Sequence, residues 1–283
     1  MDKILLATDL GEGSRLAFER ACSLASSRAA NLTIVHAVPG SGDEPTTPDA
    51  DLDTLRSRIV GMAEEMAPAA AEVAVHISTQ SPEDAILAVA EEWTPDLILL
   101  GSHGDPRLRD AVLGTTAIHV IRAAKAPVLV VQGPGEGGYQ KIMAAIDVEE
   151  PQEGLLGLCA SLVRNGEIIA LNAYDNRPLD ILRSDATLAD RRSAQEARLQ
   201  ALLDAIAPSV DSGTRLKALA REGDVMTVIT DTAREIEPDL IAISTHGRTG
   251  LSRIIHGSFA EYVLLWAPCD VLVMPYARAK SDS

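Results

Sequence analysis

The residues whose types and spacing suit chemistry lie in two glycine-punctuated loops. In the first, an apolar run, Leu97 to Leu100, breaks into Gly101-Ser102-His103-Gly104. After nine intervening residues Gly114-Thr115-Thr116 opens a helical stretch, Ala117 to Ala124, which Ala126-Pro127 stops before a second buried strand, Val128 to Val131. Strand, glycine loop, helix and strand make a βαβ unit whose loop and helix start face one spot. Unpaired N–H groups and the helix dipole there favour an anion. Gly101 and Gly104 let a ligand approach the backbone, and Thr115 adds a hydroxyl beside the helix start. One such loop carries little weight, because strand–helix turns use glycine for geometry alone.

A second copy adds the weight. Leu240 to Met274 repeats the pattern at a fixed offset of 143 residues. That offset sets His103 on His246, Gly104 on Gly247, Gly114 on Gly257 and Thr115 on Ser258, with Phe259 next along. Ser244 stands where the first copy has Gly101. A constant offset over so many special residues signals a duplicated domain.

Elements that must position these residues are readable on either side. Lys3 to Thr8 reads as a strand ending at Asp9, and Ser14 to Ala30 as a helix. Asn31 to Val38 is a strand, Asp49 to Met66 a helix, and Val73 to Thr79 a third strand. Ser81-Pro82-Glu83-Asp84 supplies a cap, an N1 proline and first-turn acids for a helix to Trp93. Residues 133–138, Gly-Pro-Gly-Glu-Gly-Gly, read as a linker. The order then restarts: Lys141 to Ile146 with Asp147, Glu167 to Ala173, a helix from Thr187 to Ala207, Arg215 to Ala220, and a helix opened by Gly223-Asp224. Domains of residues 1–132 and 139–283 are expected. Each reads as five strands alternating with four helices, which calls for an α/β fold with a doubly wound parallel sheet. Ligands of such sheets sit outside the carboxyl ends of the strands, where Asp9, the Gly101 loop and the Gly114 helix start all fall.

Composition limits the classes of function. With 46% hydrophobic and only 3% aromatic residues the core must be aliphatic, as in parallel sheets buried on both faces. A net charge of -16 argues against binding nucleic acid or an anionic membrane through a basic surface. No run approaches a membrane span, and the start, MDKILLATD, is not organised as a signal peptide, so a cytoplasmic protein is expected. Cys22, Cys159 and Cys269 have no CxxC spacing and read as core residues of a reduced protein. Trp93 and Trp266 read as packing residues. Neither a Walker A loop nor an S-G-G-x-D-S loop is present, and neither His103 nor His246 has an identifiable acid or nucleophile partner, so no catalytic residue is assigned.

Gly101-x-x-Gly104, nine residues, then Gly114-Thr115 resembles the nucleotide-binding motif of the universal stress protein family. Ser244-x-x-Gly247, nine residues, then Gly257-Ser258 departs from it only at the first glycine. The resemblance spans the chain and implies two tandem Rossmann-like domains, similar to adenine nucleotide alpha hydrolases. It also implies a site in each half for ATP or another adenine nucleotide, with magnesium as companion to ATP. In the first half Gly101, His103, Gly104, Gly114, Thr115 and Thr116 would surround phosphates and ribose, with Asp9 and Val38 toward adenine. In the second, Ser244, His246, Gly247, Gly257, Ser258 and Phe259 would do so, with Asp147 and Ala173 at the base. Because Ser244 replaces glycine and the turn after Asp147 is acidic, the first site is expected to bind better. The family's use of its last strand implies an intrachain pseudo-dimer through Val128–Val131 and Val271–Val273, with a homodimer as a further expectation. The function implied is a regulatory stress-response protein without strong turnover. A slow ATPase and a ligand-free interaction scaffold are the alternatives.

Overall fold

A computed structural model describes residues 1–38, 49–102, 114–134, 138–149, 153–174, 188–245 and 258–275. The chain divides into two compact units, Met1–Gly137 and Gly138–Ser283.

The first unit alternates β1 (Lys3–Ala7), α1 (Glu12–Arg28), β2 (Asn31–Ala37), α2 (Asp49–Met66), β3 (Glu72–Ser78), α3 (Pro82–Trp93), β4 (Leu97–Gly101), α4 (Thr115–Ala123) and β5 (Val128–Val131). Its strands lie in the order β3-β2-β1-β4-β5, all parallel. β1, β4 and β5 are apolar without alternation because both faces are covered: Ile4, Leu5, Leu6, Leu97, Ile98, Leu99 and Leu129 have no exposed surface. The chain winds outward from β1 to β3, then returns to the other side of β1 for β4. The gap between the carboxyl ends of β1 and β4 is therefore the switch in strand order, where a ligand crevice forms.

The second unit repeats this plan with β6 (Tyr139–Ala145), α5 (Glu153–Leu162), β7 (Val163–Tyr174), α6 (Leu188–Ile206), β8 (Arg215–Glu222), α7 (Val225–Ile236), β9 (Leu240–Ser244), α8 (Ser258–Trp266) and β10 (Asp270–Met274). Its order, β8-β7-β6-β9-β10, matches the first, again all parallel. One irregularity is its own. β7 starts four residues before the predicted Glu167, and its pairing with β6 jumps between Tyr139/Val163 and Lys141/Glu167. Asn165, at φ 46°, and Gly166 absorb the extra residues, and a Cβ on Gly166 would lie 2.0 Å from the Gln140 carbonyl oxygen.

The same devices fasten both units at the end remote from the switch. Asp96 accepts the N–H groups of Asp2 (2.6 Å) and Lys3 (3.1 Å), while Lys3 Nζ donates to the Trp93 carbonyl (3.0 Å). Asp239 accepts from Gln140 (2.7 Å) and Lys141 (2.9 Å), while Lys141 Nζ donates to the Ile236 carbonyl (2.6 Å). Ser81 and Asp224 cap α3 and α7, accepting from Asp84 N–H (3.2 Å) and Thr227 N–H (3.1 Å). The residues closing those helices, Thr94 and Glu237, share the left-handed conformation φ 49°, ψ 66°.

Helix α1 begins two residues before the predicted Ser14, because Gly11 ends the turn early enough for Glu12 to take the first helical position. The two tryptophans differ from expectation in one case. Trp93 lies under the Lys3 ammonium, 5.6 Å from its ring centre. Trp266 is 58% exposed, on the outer face of the last turn of α8 beside Tyr262 (6.3 Å between ring centres), and so is not a core residue. Cys22, Cys159 and Cys269 are buried free thiols, each pushed up to about 12 by desolvation. Among the described residues no helix is long and apolar enough to cross a membrane.

Candidate functional site

β1 ends in a polar knot. The Thr8 and Ser14 hydroxyls lie 2.8 Å apart, and Ser14 Oγ donates to Asp9 Oδ1 at 2.6 Å. The same carboxylate oxygen accepts the Gly11 N–H (2.9 Å), and Thr8 Oγ1 accepts the Leu10 N–H (3.0 Å). Leu10 takes the left-handed conformation, φ 59°, within this turn. Asp9 is fixed but exposed, so its carboxylate faces outward at the end of the strand.

Gly101 ends β4 beside this knot. Its missing Cβ would lie 2.8 Å from the Gly13 carbonyl oxygen and 3.2 Å from the Ser14 Cα. Glycine is therefore required there by the close approach of β4 to α1, a reason separate from the ligand approach expected from the sequence. Ser102 donates its N–H to the Val131 carbonyl and accepts the Gly114 N–H, both at 3.1 Å, which holds the start of α4 over the ends of β4 and β5.

Gly114 precedes α4 with φ -58° and ψ 133° and offers no side-chain cap. Intrahelical bonding begins with the Ile118 N–H to the Gly114 carbonyl (3.3 Å), so the N–H groups of Thr115, Thr116 and Ala117 have no acceptor within the helix. A Cβ on Gly114 would meet the Ser102 carbonyl oxygen at an ordinary 3.4 Å, so neither φ nor packing against the described residues demands glycine.

These groups surround a cleft of about 310 Å³. Ala7, Thr8 and Asp9 of the β1 end, Gly101 and Ser102 of the β4 end, and Gly114 to Ala117 of the α4 start line one part. Val35 and Ala37 of β2 with Pro82 and Ile86 of α3 form apolar walls. Of the first-half residues singled out from sequence, Asp9, Gly101, Gly114, Thr115 and Thr116 come together here. Val38 lies one residue past β2 with its N–H spent on the Ser78 carbonyl (2.8 Å), and Ala37 rather than Val38 lines the cleft. His103 and Gly104 lie outside the described residues.

At the corresponding strand ends of the second unit the described residues line a much smaller pocket. Ala145, Ile146, Asp147, Leu171, Asn172, Ala173, Val225 and Ile229 leave about 20 Å³, room for one water. Asp147 and Ala173 are thus brought together, but Asp147 is only 4% exposed, with Oδ1 accepting the Glu149 N–H at 2.9 Å. Glu149, in the acidic turn, pairs at 2.5 Å with Arg198 of α6. Ser244, ending β9, is buried, as is Phe259 on α8. His246, Gly247 and Gly257 lie outside the described residues, as does the Ser258 side chain.

Two residues at these strand ends were not singled out from the sequence. His36, 8% exposed, places Nδ1 2.8 Å from the Thr8 carbonyl oxygen. Asn172, 4% exposed, donates Nδ2–H to the Ile146 carbonyl at 2.9 Å, and its Oδ1 has no partner among the described residues. The available signal was a polar residue near the end of each largely apolar run, LTIVHA and IIALNA, just before the matching Ala37 and Ala173.

Comparison with known proteins agrees with this architecture. Residues 1–132 and 138–275 each match the Universal stress protein family. The chain is 27% identical over 214 residues to universal stress protein E of Salmonella typhi, covering 68% of this chain and 65% of that protein, so it spans just under two thirds of that relative's length. It is 27% identical over 213 residues to the universal stress protein E homolog of Haemophilus influenzae, covering 71% of this chain and 69% of the homolog. A universal stress protein of Archaeoglobus fulgidus has the same fold, with a TM-score of 0.69 at 17% identity, over 97% of this chain and 98% of the other. From its two matched segments and its repeated parallel-sheet units, this chain belongs to the universal stress protein family and carries two of the family's domains in tandem.

Proposed function

We propose that the first unit binds an adenine nucleotide and that the protein acts as a regulatory stress-response protein without strong turnover. The observation that carries this reading is the cleft of about 310 Å³ at the switch in strand order, faced by the start of α4, whose first N–H groups have no acceptor within the helix. Its volume lies within the roughly 300–1,000 Å³ usual for small-ligand pockets. The division of its surface suits such a ligand. Val35, Ala37, Pro82 and Ile86 offer an apolar slot for a planar base, and the α4 N–H groups and helix dipole suit a phosphate. Main-chain groups of alternate strand residues point to the same neighbour, and Val35 O already accepts the Thr8 N–H at 3.0 Å. Ala37 therefore turns its N–H and C=O toward the β1 side just beyond the end of that strand, giving an adjacent donor and acceptor for the edge of adenine. Asp9 would accept from ribose hydroxyls, and magnesium would enter as the companion of a triphosphate.

The test is to denature the purified protein, identify any released ligand by mass spectrometry, and titrate ATP, ADP and AMP by calorimetry. The expected result is one binding event that Gly114→Val weakens on the order of 100-fold, since one or two charge-assisted hydrogen bonds at about 1.5–3 kcal/mol each are obstructed. Gly257→Val is expected to leave it unchanged. Neither released ligand nor heat with any of the three nucleotides would leave the interaction scaffold as the reading.

A further inference from the structure

We propose that His36 is a positioning residue for the cleft of the first unit: its imidazole takes the Thr8 carbonyl in place of the next ladder bond and so keeps the β2 edge open. This inference rests on the nucleotide reading above, but its structural part stands on separate observations. Pairing of β1 with β2 ends at the Thr8 N–H to Val35 carbonyl bond, 3.0 Å. In a continued parallel ladder the Thr8 carbonyl would next accept the Ala37 N–H. Here it faces His36 Nδ1 at 2.8 Å, and the contact is buried. The side chain thus caps the first carbonyl beyond β1, directly before Asp9, and leaves the Ala37 main chain to the cleft.

The second unit makes the same contact with different chemistry. Its ladder ends at the Ile146 N–H to Leu171 carbonyl bond (2.8 Å), and Asn172 Nδ2 donates to the Ile146 carbonyl (2.9 Å), directly before Asp147. His Nδ1 and Asn Nδ2 are both bonded to Cγ, so the two side chains reach equally far. An imidazole and a carboxamide share little else, and what the duplication has kept is a donor at the δ position. A carbonyl oxygen only accepts, so Nδ1 of His36 must carry a proton. In the neutral ring Nε2 then holds the lone pair.

The assignment separates δ from ε donors, which a merely space-filling role would not. His36→Asn keeps a δ donor, His36→Gln places its amide where Nε2 was, and His36→Leu has no donor. In the full-length protein, His36→Asn is expected to bind ATP within about twofold of the unchanged chain, whereas His36→Gln and His36→Leu bind about tenfold more weakly, the worth of one hydrogen bond to a buried carbonyl. Two readouts need no nucleotide. Long-range ¹⁵N–¹H correlation of the unchanged protein is expected to show the proton on Nδ1 of His36. Amide exchange at Leu10 and Gly11, in the turn after Thr8, is expected to quicken in the Gln and Leu variants but not in the Asn variant. A proton found on Nε2 alone, or an Asn variant as impaired as the Leu variant, overturns the proposal. If ATP does not bind at all, the nucleotide reading fails, and the tautomer and exchange data decide the strut by themselves.

Discussion

The two units share a scaffold, yet the pockets that their described residues line at the switch point differ roughly fifteenfold, about 310 against 20 Å³. Strand order, helix caps, left-handed helix ends and aspartate clasps recur at matching positions. What changes is the bulk of a few side chains. Thr8 gives way to Ile146, Val35 to Leu171 and Thr116 to Phe259, each larger, and all three of the larger residues are buried. Asp147 is also buried where its counterpart Asp9 is exposed. A duplicated frame can thus keep its fastenings while the side chains at the crevice change, because fastenings and crevice lie at opposite ends of the strands.

The contrast can be broken by substitution, most forcefully at Gly166. An alanine there places Cβ 2.0 Å from the Gln140 carbonyl oxygen, a backbone atom that cannot swing away. Gly166→Ala is expected to destabilise the second unit by about 3 kcal/mol. Gly101→Ala, at 2.8 Å from the Gly13 carbonyl oxygen, is expected to cost the first unit less, about 1 kcal/mol. Urea unfolding followed through unit-specific amide signals measures both, and equal losses would mean that β7 yields more readily than its geometry implies.

A smaller change tests whether side-chain bulk sets the cleft. Val35→Leu carries one residue of the second unit into the first and is expected to weaken ATP binding about tenfold, or roughly 1.4 kcal/mol. The reverse change, Leu171→Val, is expected to create no second site while Ile146 and Phe259 remain. Calorimetric affinity and stoichiometry read both outcomes.

Alkaline pH gives the mildest discrimination. Burial raises the Cys22, Cys159 and Cys269 thiols from 9.0 to about 12, so the folded chain keeps protons that the unfolded chain releases. These groups leave stability unchanged below about pH 9 and lower it progressively from there toward 12. Cys159 and Cys269 both belong to the second unit and Cys22 to the first, so the second is expected to lose more. Denaturation at pH 8 and pH 10, with thiol titration of the native protein as a control for burial, checks the sign.

Much of the frame was legible because it depends on short-range patterns. Apolar runs such as LILL and VLVV announced central strands, and Ser-Pro-Glu-Asp announced the start of α3. Gly101 was conspicuous, but its reason was hidden: the atom it must avoid belongs to Gly13, eighty-eight residues earlier in the chain. His36 and Asn172 went unremarked because a lone polar residue in a strand acquires meaning only once the neighbouring strand is known to stop beside it. The unequal clefts were equally opaque. Ile146 and Leu171 are ordinary core residues in sequence, and only the fold brings them to the lining of one small pocket.

The aspartate clasps also bear on how the protein is made. Asp96 reaches back 94 residues to the N–H of Asp2, and β1 sits centrally between β2 and β4. A nascent chain that has exposed only β1 to β3 lacks both the strand and the carboxylate that complete the first sheet. The sheet of each half is completed only by late residues, β4 with Asp96 or β9 with Asp239, so each half is expected to fold once nearly all of it has left the ribosome. The first half, complete by Val131, can finish that step before β6 begins at Tyr139, and two similar sequences in one chain then meet as one folded and one nascent body rather than as competitors for the same strands.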